Sequence, residues 1–276
     1  MQHPFDVLRA EYENDIRQAR ILPRFQRQCD EATDKIIRQL PIYQPVFEQT
    51  GVPAIVQGVL SYREMDCDPT RGIAQGWRWD QRSRDIPYIG PFKSKVEADV
   101  AGLRLDHLDQ VARASTGWTA AHALYEEELW NGFGPRNHGR RSGYVVGGTQ
   151  LYTGGMYVAD GKWSESTSDE RPGTLALMMT VARRRPDLAL PGLILDAQGT
   201  VPSPVPAPLP VPLGHGDGDT TTWIQESLKK LGFSLDVDGN YGRQTKRAVM
   251  AFQTLHHLHV DGICGPQTTA AIKGLA

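Results

Sequence analysis

The chain has 276 residues, 39% of them hydrophobic, which is room for roughly two domains of ordinary globular composition. Thirty Lys and Arg against 32 Asp and Glu leave a formal charge of −2, so the basic footprint of a nucleic-acid-binding protein is absent. No apolar run reaches the ~20 residues of a membrane-spanning helix, and membrane insertion is not expected. Met1-Gln2-His3-Pro4-Phe5-Asp6 lacks the basic start and apolar core of a secretory signal. Synthesis in a host cytoplasm, with no export signal of its own, is therefore the expectation. The three cysteines, Cys29, Cys67 and Cys264, are scattered and form neither a metal-ligand spacing nor a disulfide framework.

Residues 6–20 read as an exposed, charged helix. Residues 24–40 read as an amphipathic one, with Phe25, Cys29, Ala32, Ile36 and Leu40 on one side; Pro41 is expected to end it. A short apolar helix follows over 53–65, where Val52, Ile55, Val56, Val59 and Leu60 recur at helical spacing. Glu64 continues that stripe, which places a carboxylate on the buried face near the helix's C-terminal end. Burial and the negative end of the helix dipole both disfavour the charged form. A protonated carboxyl in an apolar pocket is what glycosidic-bond cleavage needs as a general acid. The alternative is a helix-end glutamate paired with Arg63 or Arg71.

After Glu64 the chain runs through Asp66-Cys67-Asp68-Pro69-Thr70-Arg71, a loop by composition, into Gly72-Ile73-Ala74-Gln75-Gly76. Arg63-Glu64 followed by Ile73-Ala74-Gln75-Gly76 resembles the lysozyme-like muramidase family of phage endolysins. In that family a helix ends in Arg-Glu and the chain then enters an Ile-Ala-Gln-Gly segment. The Gly-x-x-Gln element is also similar to one in goose-type lysozymes and lytic transglycosylases. The resemblance implies that Glu64 is the catalytic acid and that Gln75 lines the sugar groove.

Residues 77–92 are irregular and aromatic. Trp77 and Trp79 come just after Gln75; they either stack on sugar rings in a glycan subsite or pack over a small hairpin. Ser94 and Glu97 form a capping box for a helix through about Leu108. The next helix, over 119–130, ends in Trp130-Asn131-Gly132-Phe133-Gly134. A similar helix in the endolysin family ends in Tyr-Asn-Gly-x-Gly, and Trp130 stands here for the tyrosine. The segment is also similar to the Tyr-Asn element of lytic transglycosylases, which implies that Trp130 and Asn131 contact the substrate groove. A nucleotide-binding reading of these glycines fails, because they follow a helix and not a strand.

Residues 132–163 are Gly-rich with interleaved aromatics, which predicts loops and hairpins. Ser142-x-Tyr144, Gly148-Thr149, Tyr152 and Tyr157-Val158-x-Asp160-Gly161 resemble the family at matching spacing. That marks Tyr144 and Tyr152 as substrate-binding; Gly143 and Val146 stand where the family usually has Pro and Trp. Thr174, after Pro172-Gly173, is expected to cap a last helix ending at Arg183-Arg184-Arg185-Pro186. These cations suit a helix C-terminus; the alternative is contact with an anionic wall.

Residues 201–212 alternate proline with other residues, which favours an extended run of roughly 35–40 Å. Gly214-His215-Gly216-Asp217-Gly218 adds a joint. Beyond this linker, Asp236-Val237-Asp238-Gly239-Asn240-Tyr241-Gly242 is echoed by His259-Val260-Asp261-Gly262-Ile263-Cys264-Gly265. Each half is a Val-Asp-Gly-x-x-Gly turn opening a helix, with glycines for left-handed backbone angles and Pro266 at a helix start. Three short helices with duplicated turns resemble the peptidoglycan-binding domain of many wall hydrolases. Asp236-x-Asp238-x-Asn240 begins like a calcium loop, but Tyr241 and Arg247 stand where the loop needs Gly and Glu. His256-His257-x-His259 fills a solvated turn, and no metal is expected there.

The expected fold is mainly α. A lysozyme-like helical domain with a small Gly-rich hairpin region spans 1–198, a Pro/Gly-rich linker 199–219 and a three-helix peptidoglycan-binding domain 220–276. The resemblance implies an endolysin acting on bacterial peptidoglycan as a monomer, after holin-type release. It would cleave the β-1,4 bond between N-acetylmuramic acid and N-acetylglucosamine, without metal or cofactor. A second carboxylate would activate water or steady the oxocarbenium ion. Asp66, Asp68 and Asp80 are candidates, with Asp68 favoured by its place in the loop after the acid. A lytic transglycosylase and a wall-binding particle component without activity are the alternatives.

Overall fold

The computed structural model describes residues 5–74, 76–84, 88–112, 117–159, 162–193, 218–239, 241–256, 258, 262 and 264–275. Gln75, Asp160, the proline run, His257, His259 and part of the second Val-Asp-Gly turn lie outside the described residues. What is described is mainly helical, as the sequence predicts.

Helix α1 (Phe5–Gln18) is amphipathic, not exposed. Leu8, Tyr12, Asp15 and Ile16 are buried, a stripe at helical spacing that its many charges mask in the sequence. Helix α2 (Pro23–Arg38) buries Phe25, Cys29, Ala32 and Ile36, the face that the spacing predicts. Pro41 does not end the helical path. The chain turns at Gln39 and starts α3 (Leu40–Thr50), with Pro41 in a first turn whose N–H groups need no intrahelical acceptor. Gly51, at φ 70, closes α3 through its N–H to the Phe47 carbonyl at 2.7 Å.

Helix α4 (Ala54–Met65) carries Ile55, Val56, Val59 and Leu60 fully buried. It packs against α2, α3 and α9 (Thr174–Arg184). Helix α5 (Lys95–Leu105) starts as predicted: Ser94 Oγ accepts the Glu97 N–H at 3.2 Å, and the Glu97 carboxylate accepts the Lys93 N–H at 2.8 Å. It stops at Leu105, and His107 at φ 60 turns the chain into α6 (Leu108–Val111). In α9 every residue from Thr174 to Ala182 is buried. Its N-cap is Gly173 and not Thr174, which is the first residue inside the helix. Arg184 pairs with Asp34 and Arg185 with Asp187.

Every residue of α7 (Ala120–Asn131) except Asn131 is buried, including three consecutive glutamates. Each meets the cost of burial differently. Glu126 meets Lys246 at 3.3 Å and His122 at 3.7 Å. Glu128 accepts from Tyr12 at 2.5 Å and from Arg136 at 2.7 and 2.9 Å. Burial raises both carboxyls, and their cationic partners more than offset it, so both end below the ordinary value. Among the described residues no cation lies beside Glu127, and burial pushes its carboxyl up to about 8. The Glu128 network extends through Arg136 to Glu11, and Arg141 pairs with Asp15. It therefore ties α1 and α7 to the loop that enters α8 (Gly143–Val146).

The described part of the Gly-rich stretch forms loops and one hairpin, together with two short helical pieces that the composition did not predict, a 3-10 turn at Gly134–His138 and α8. Strands β1 (Met156–Ala159) and β2 (Lys162–Ser164) pair antiparallel, with Met156 opposite Ser164 and Tyr157 opposite Trp163. The main apolar cluster runs from Leu8 to Leu193, while a separate one, around Leu228, Val249, Phe252 and Ile272, joins α10 (Gly218–Lys230), α11 (Arg243–Leu255) and α12 (Pro266–Leu275). Gly239 and Gly262 both take the left-handed conformation that the repeat predicts, at φ 70 and 68. Helix α11 also meets the first region: Arg247 grips Asp106 at 2.6 and 2.8 Å, beside the Lys246–Glu126 pair. Among the described residues no helix is long and apolar enough to cross a membrane.

Candidate functional site

Glu64 sits one residue before the end of α4. Arg63 and Met65 on either side are buried, but Glu64 is half-buried. It is thus less enclosed than the apolar stripe predicts. Neither Arg63 nor Arg71 pairs with it. Its Oε1 accepts a hydrogen bond from the Tyr144 hydroxyl at 2.9 Å, across 80 residues of sequence. Gly76 comes close to the backbone of Glu64: a Cβ there would lie 3.8 Å from the Glu64 carbonyl oxygen. Gln75 itself lies outside the described residues.

Arg63 turns inward. Its side chain is 1% exposed and pairs at 2.5 Å with Asp169, 10% exposed, while its guanidinium lies 4.5 Å from the Tyr144 ring centroid. It also donates to the Pro172 carbonyl at 3.2 Å. Burial raises the Asp169 carboxyl, and the Arg63 charge more than offsets this, leaving it below its ordinary value. Arg171 closes the circuit, donating to the Arg63 carbonyl at 3.1 Å and pairing with Asp169 at 3.3 Å. Tyr144 is pushed well above its ordinary value, first by burial and then by the Glu64 charge, so its hydroxyl keeps its proton.

Arg63, Tyr144, Asp169 and Arg171 line a cleft of about 390 Å³; Glu64 itself is not part of that lining and meets it through Tyr144. Arg63, Asn131, Ser142, Tyr144, Tyr157, Asp169, Arg171 and Asp238 supply its polar lining. Asn131 is exposed there. Gly143 is required by close approach: a Cβ would lie 2.9 Å from Tyr152 Cζ and 3.1 Å from Asp169 Cβ. That accounts for the absence of a larger residue at this position.

Several expected site residues lie elsewhere. Trp130 is 5% exposed and belongs to the core; an indole larger than the family's tyrosine is kept inside by packing. Tyr152 is half-buried and built into the wall, accepting from the Asp169 N–H and donating to the Gly155 carbonyl, both at 3.0 Å. Trp77 and Trp79 line a separate cavity of about 20 Å³ with Ile89 and Phe92. They pack over a small hairpin closed by the Arg71–Arg78 bridge, with Trp79 Nε1 donating to the Pro69 carbonyl at 3.0 Å and Arg84 over Trp77.

The candidate second carboxylates are committed locally. Asp68 accepts from the Thr70 N–H at 2.8 Å and the Thr70 hydroxyl at 2.7 Å, which lower its carboxyl, and from Arg71 at 3.3 Å. It shapes the loop. Asp66 pairs with Lys35, and Asp80 with Arg78. Among the described residues, the carboxylates on the cleft are Asp169 and Asp238. Asp169 follows a polar loop and precedes Pro172-Gly173, with no local spacing to link it to Arg63, so nothing in the sequence singles it out. Among the described residues no group of three or more His, Cys, Asp or Glu could hold a metal ion, and the three cysteines are buried and not joined in disulfides.

Residues 217–272 match the family described as "Putative peptidoglycan binding domain". That match covers the three C-terminal helices and not Glu64. Among curated proteins, the chain is 43% identical over 54 residues to the N-acetylmuramoyl-L-alanine amidase CwlM of Mycobacterium tuberculosis, covering 19% of this chain and 13% of that protein. The chain thus spans a small part of that relative's length. No solved structure matches the chain significantly. The C-terminal match and this relative support a function connected with the bacterial cell wall.

Proposed function

We propose that the chain is a peptidoglycan hydrolase that cleaves the β-1,4 bond between N-acetylmuramic acid and N-acetylglucosamine, with Glu64 as general acid. The observation that carries this reading is the half-buried Glu64, gripped at one oxygen by Tyr144, a residue that lines a polar cleft together with Arg63. It stands in a chain whose C-terminal helices match a peptidoglycan-binding family. A carboxyl held at one oxygen presents the other to a ligand, which is the geometry of proton delivery to a leaving glycosidic oxygen. Asn131 and Tyr157 offer polar contacts for the sugar. Asp169, kept ionised by Arg63, supplies negative charge for the cation-like transition state. The C-terminal helices would hold the enzyme on the polymer and raise the local concentration of bonds to cut.

One observation favours a second reading. Asp66, Asp68 and Asp80 are each engaged in local contacts, which weakens the case for a carboxylate that positions water. A lytic transglycosylase needs one carboxyl only, because the sugar's own hydroxyl attacks the anomeric carbon. Mass analysis of a complete sacculus digest, before and after borohydride reduction, separates the two. Ends that gain two hydrogens on reduction support the hydrolase. Non-reducible 1,6-anhydro ends, lighter by one water, support the transglycosylase. Intact glycan strands with cleaved peptides would replace both readings by an amidase.

A further inference from the structure

The sequence resemblance marks Tyr144 as a residue that touches substrate. Its position suits another task. It is 5% exposed, Arg63 stacks on its ring, and its hydroxyl donates to Glu64 Oε1 at 2.9 Å. We infer that Tyr144 is a positioning residue for Glu64: its hydroxyl occupies Oε1, so the catalytic proton resides on Oε2, and it steadies the carboxylate left when that proton has gone. This inference rests on the reading of Glu64 as the acid.

In the step concerned, Glu64 gives the Oε2 proton to the glycosidic oxygen. The bond from that oxygen to the anomeric carbon breaks, and the bonding pair stays on the oxygen. Glu64 is left as a carboxylate; water, or the sugar hydroxyl in the transglycosylase variant, later returns a proton to it. No oxidant or reductant enters. A neutral donor on Oε1 gains strength as the carboxylate becomes charged, so it acts more in the transition state than in the ground state. The arrangement around it is fixed. Arg63 from α4, Asp169 and Arg171 from the loop before α9, and Glu127 from α7 are the charged or titratable groups nearest the pair. The Arg63–Asp169 pair holds the ring from one face. Arg63 meets the ring and not the hydroxyl, which leaves the hydroxyl to Glu64.

The test is the pH–activity profile on purified sacculi for the full-length wild type, Glu64→Gln and Tyr144→Phe. Wild-type cleavage lost in Glu64→Gln establishes the acid on its own. In Tyr144→Phe, activity at the optimum should fall roughly ten- to hundredfold. Loss of a donor to the ionised form should also move the alkaline limb to higher pH by about one to two units. A merely structural role would scale the profile without moving its limbs, and that result overturns the inference while leaving the acid in place. Full activity in Glu64→Gln would overturn both. Should Tyr144→Phe not fold, a fluorinated tyrosine at 144 keeps the shape and strengthens the donor. It should move the alkaline limb to lower pH, and an unmoved limb there overturns the inference as well.

Discussion

Gln225 and Gln253 do the same work twice. Gln225 Oε1 accepts the Gly239 N–H at 2.8 Å, and its amide donates to Thr245 at 2.9 Å. Gln253 Oε1 accepts the Gly262 N–H at 2.9 Å, and its amide donates to Thr268 at 3.0 Å. Each glutamine lashes a Gly turn to the helix that follows it. Around Glu64 nothing repeats. Glu64 meets Tyr144 across 80 residues and Arg63 meets Asp169 across 106, each contact made once. A binding module built from a duplicated turn can lose one copy and keep the other's geometry. A cleft assembled from single long-range contacts has no spare part.

That contrast predicts unequal costs. Arg63→Ala leaves the Asp169 carboxylate without its main counter-charge and strips the support beneath Tyr144. Breaking one side of such a buried pair costs about 3–5 kcal/mol, and thermal unfolding should show it in the first cooperative unit. A loss below about 1 kcal/mol would place the pair in the exposed, weak class.

Glu127 gives the next effect, through pH. Its folded value is raised from an ordinary 4.5 to about 8, so its contribution is fully present below 4.5 and is lost as pH rises through 8. Stability measured by denaturant should fall by roughly 2–4 kcal/mol between pH 5 and pH 9 on this account. Glu127→Gln should flatten that slope. An unchanged slope in the variant would mean that another group carries it.

In the C-terminal helices, Gln253→Ala leaves a buried N–H and a threonine hydroxyl without their partner, at about 1–3 kcal/mol. Co-sedimentation with sacculi should weaken and not vanish, because Gln225 still sets the first turn. Complete loss would show that the two turns act as one unit. Asp68→Asn should change least. The loop loses a charge on a mostly solvated carboxylate, worth less than about 1 kcal/mol, and turbidity loss should stay near wild type. A large fall in activity would restore Asp68 as the second carboxylate.

What the sequence revealed follows the same divide. Periodic and local signals were legible: the buried stripe of α4, the Ser94 cap and the paired Gly239 and Gly262 turns. Helix α3 was hidden by Pro41, which read as the end of a helix although it sits harmlessly in the first turn of the next. The burial of α1 was hidden by its charges, since Asp15 is inside with Arg141 as partner. Glu64 was legible as a residue on the apolar stripe, but its partner was not. Tyr144 and Asp169 acquire their places only when α8 and the loop before α9 fold onto α4, and no spacing along the chain encodes that meeting. Trp130 misled for a related reason. An indole next to a groove motif invites a sugar contact, whereas packing volume placed it in the core.

Whether Glu64 cuts what the C-terminal helices hold is measured most directly by assaying Glu64→Gln and wild type on the same permeabilised cells and purified sacculi. Turbidity loss reports cleavage and co-sedimentation reports binding. The amide keeps the shape of Glu64 and still accepts from Tyr144, but it has no proton to give. The expected result is wild-type folding and wild-type co-sedimentation with turbidity loss abolished. Retention of more than a few per cent of wild-type turbidity loss, with folding intact, would show that Glu64 is not the acid.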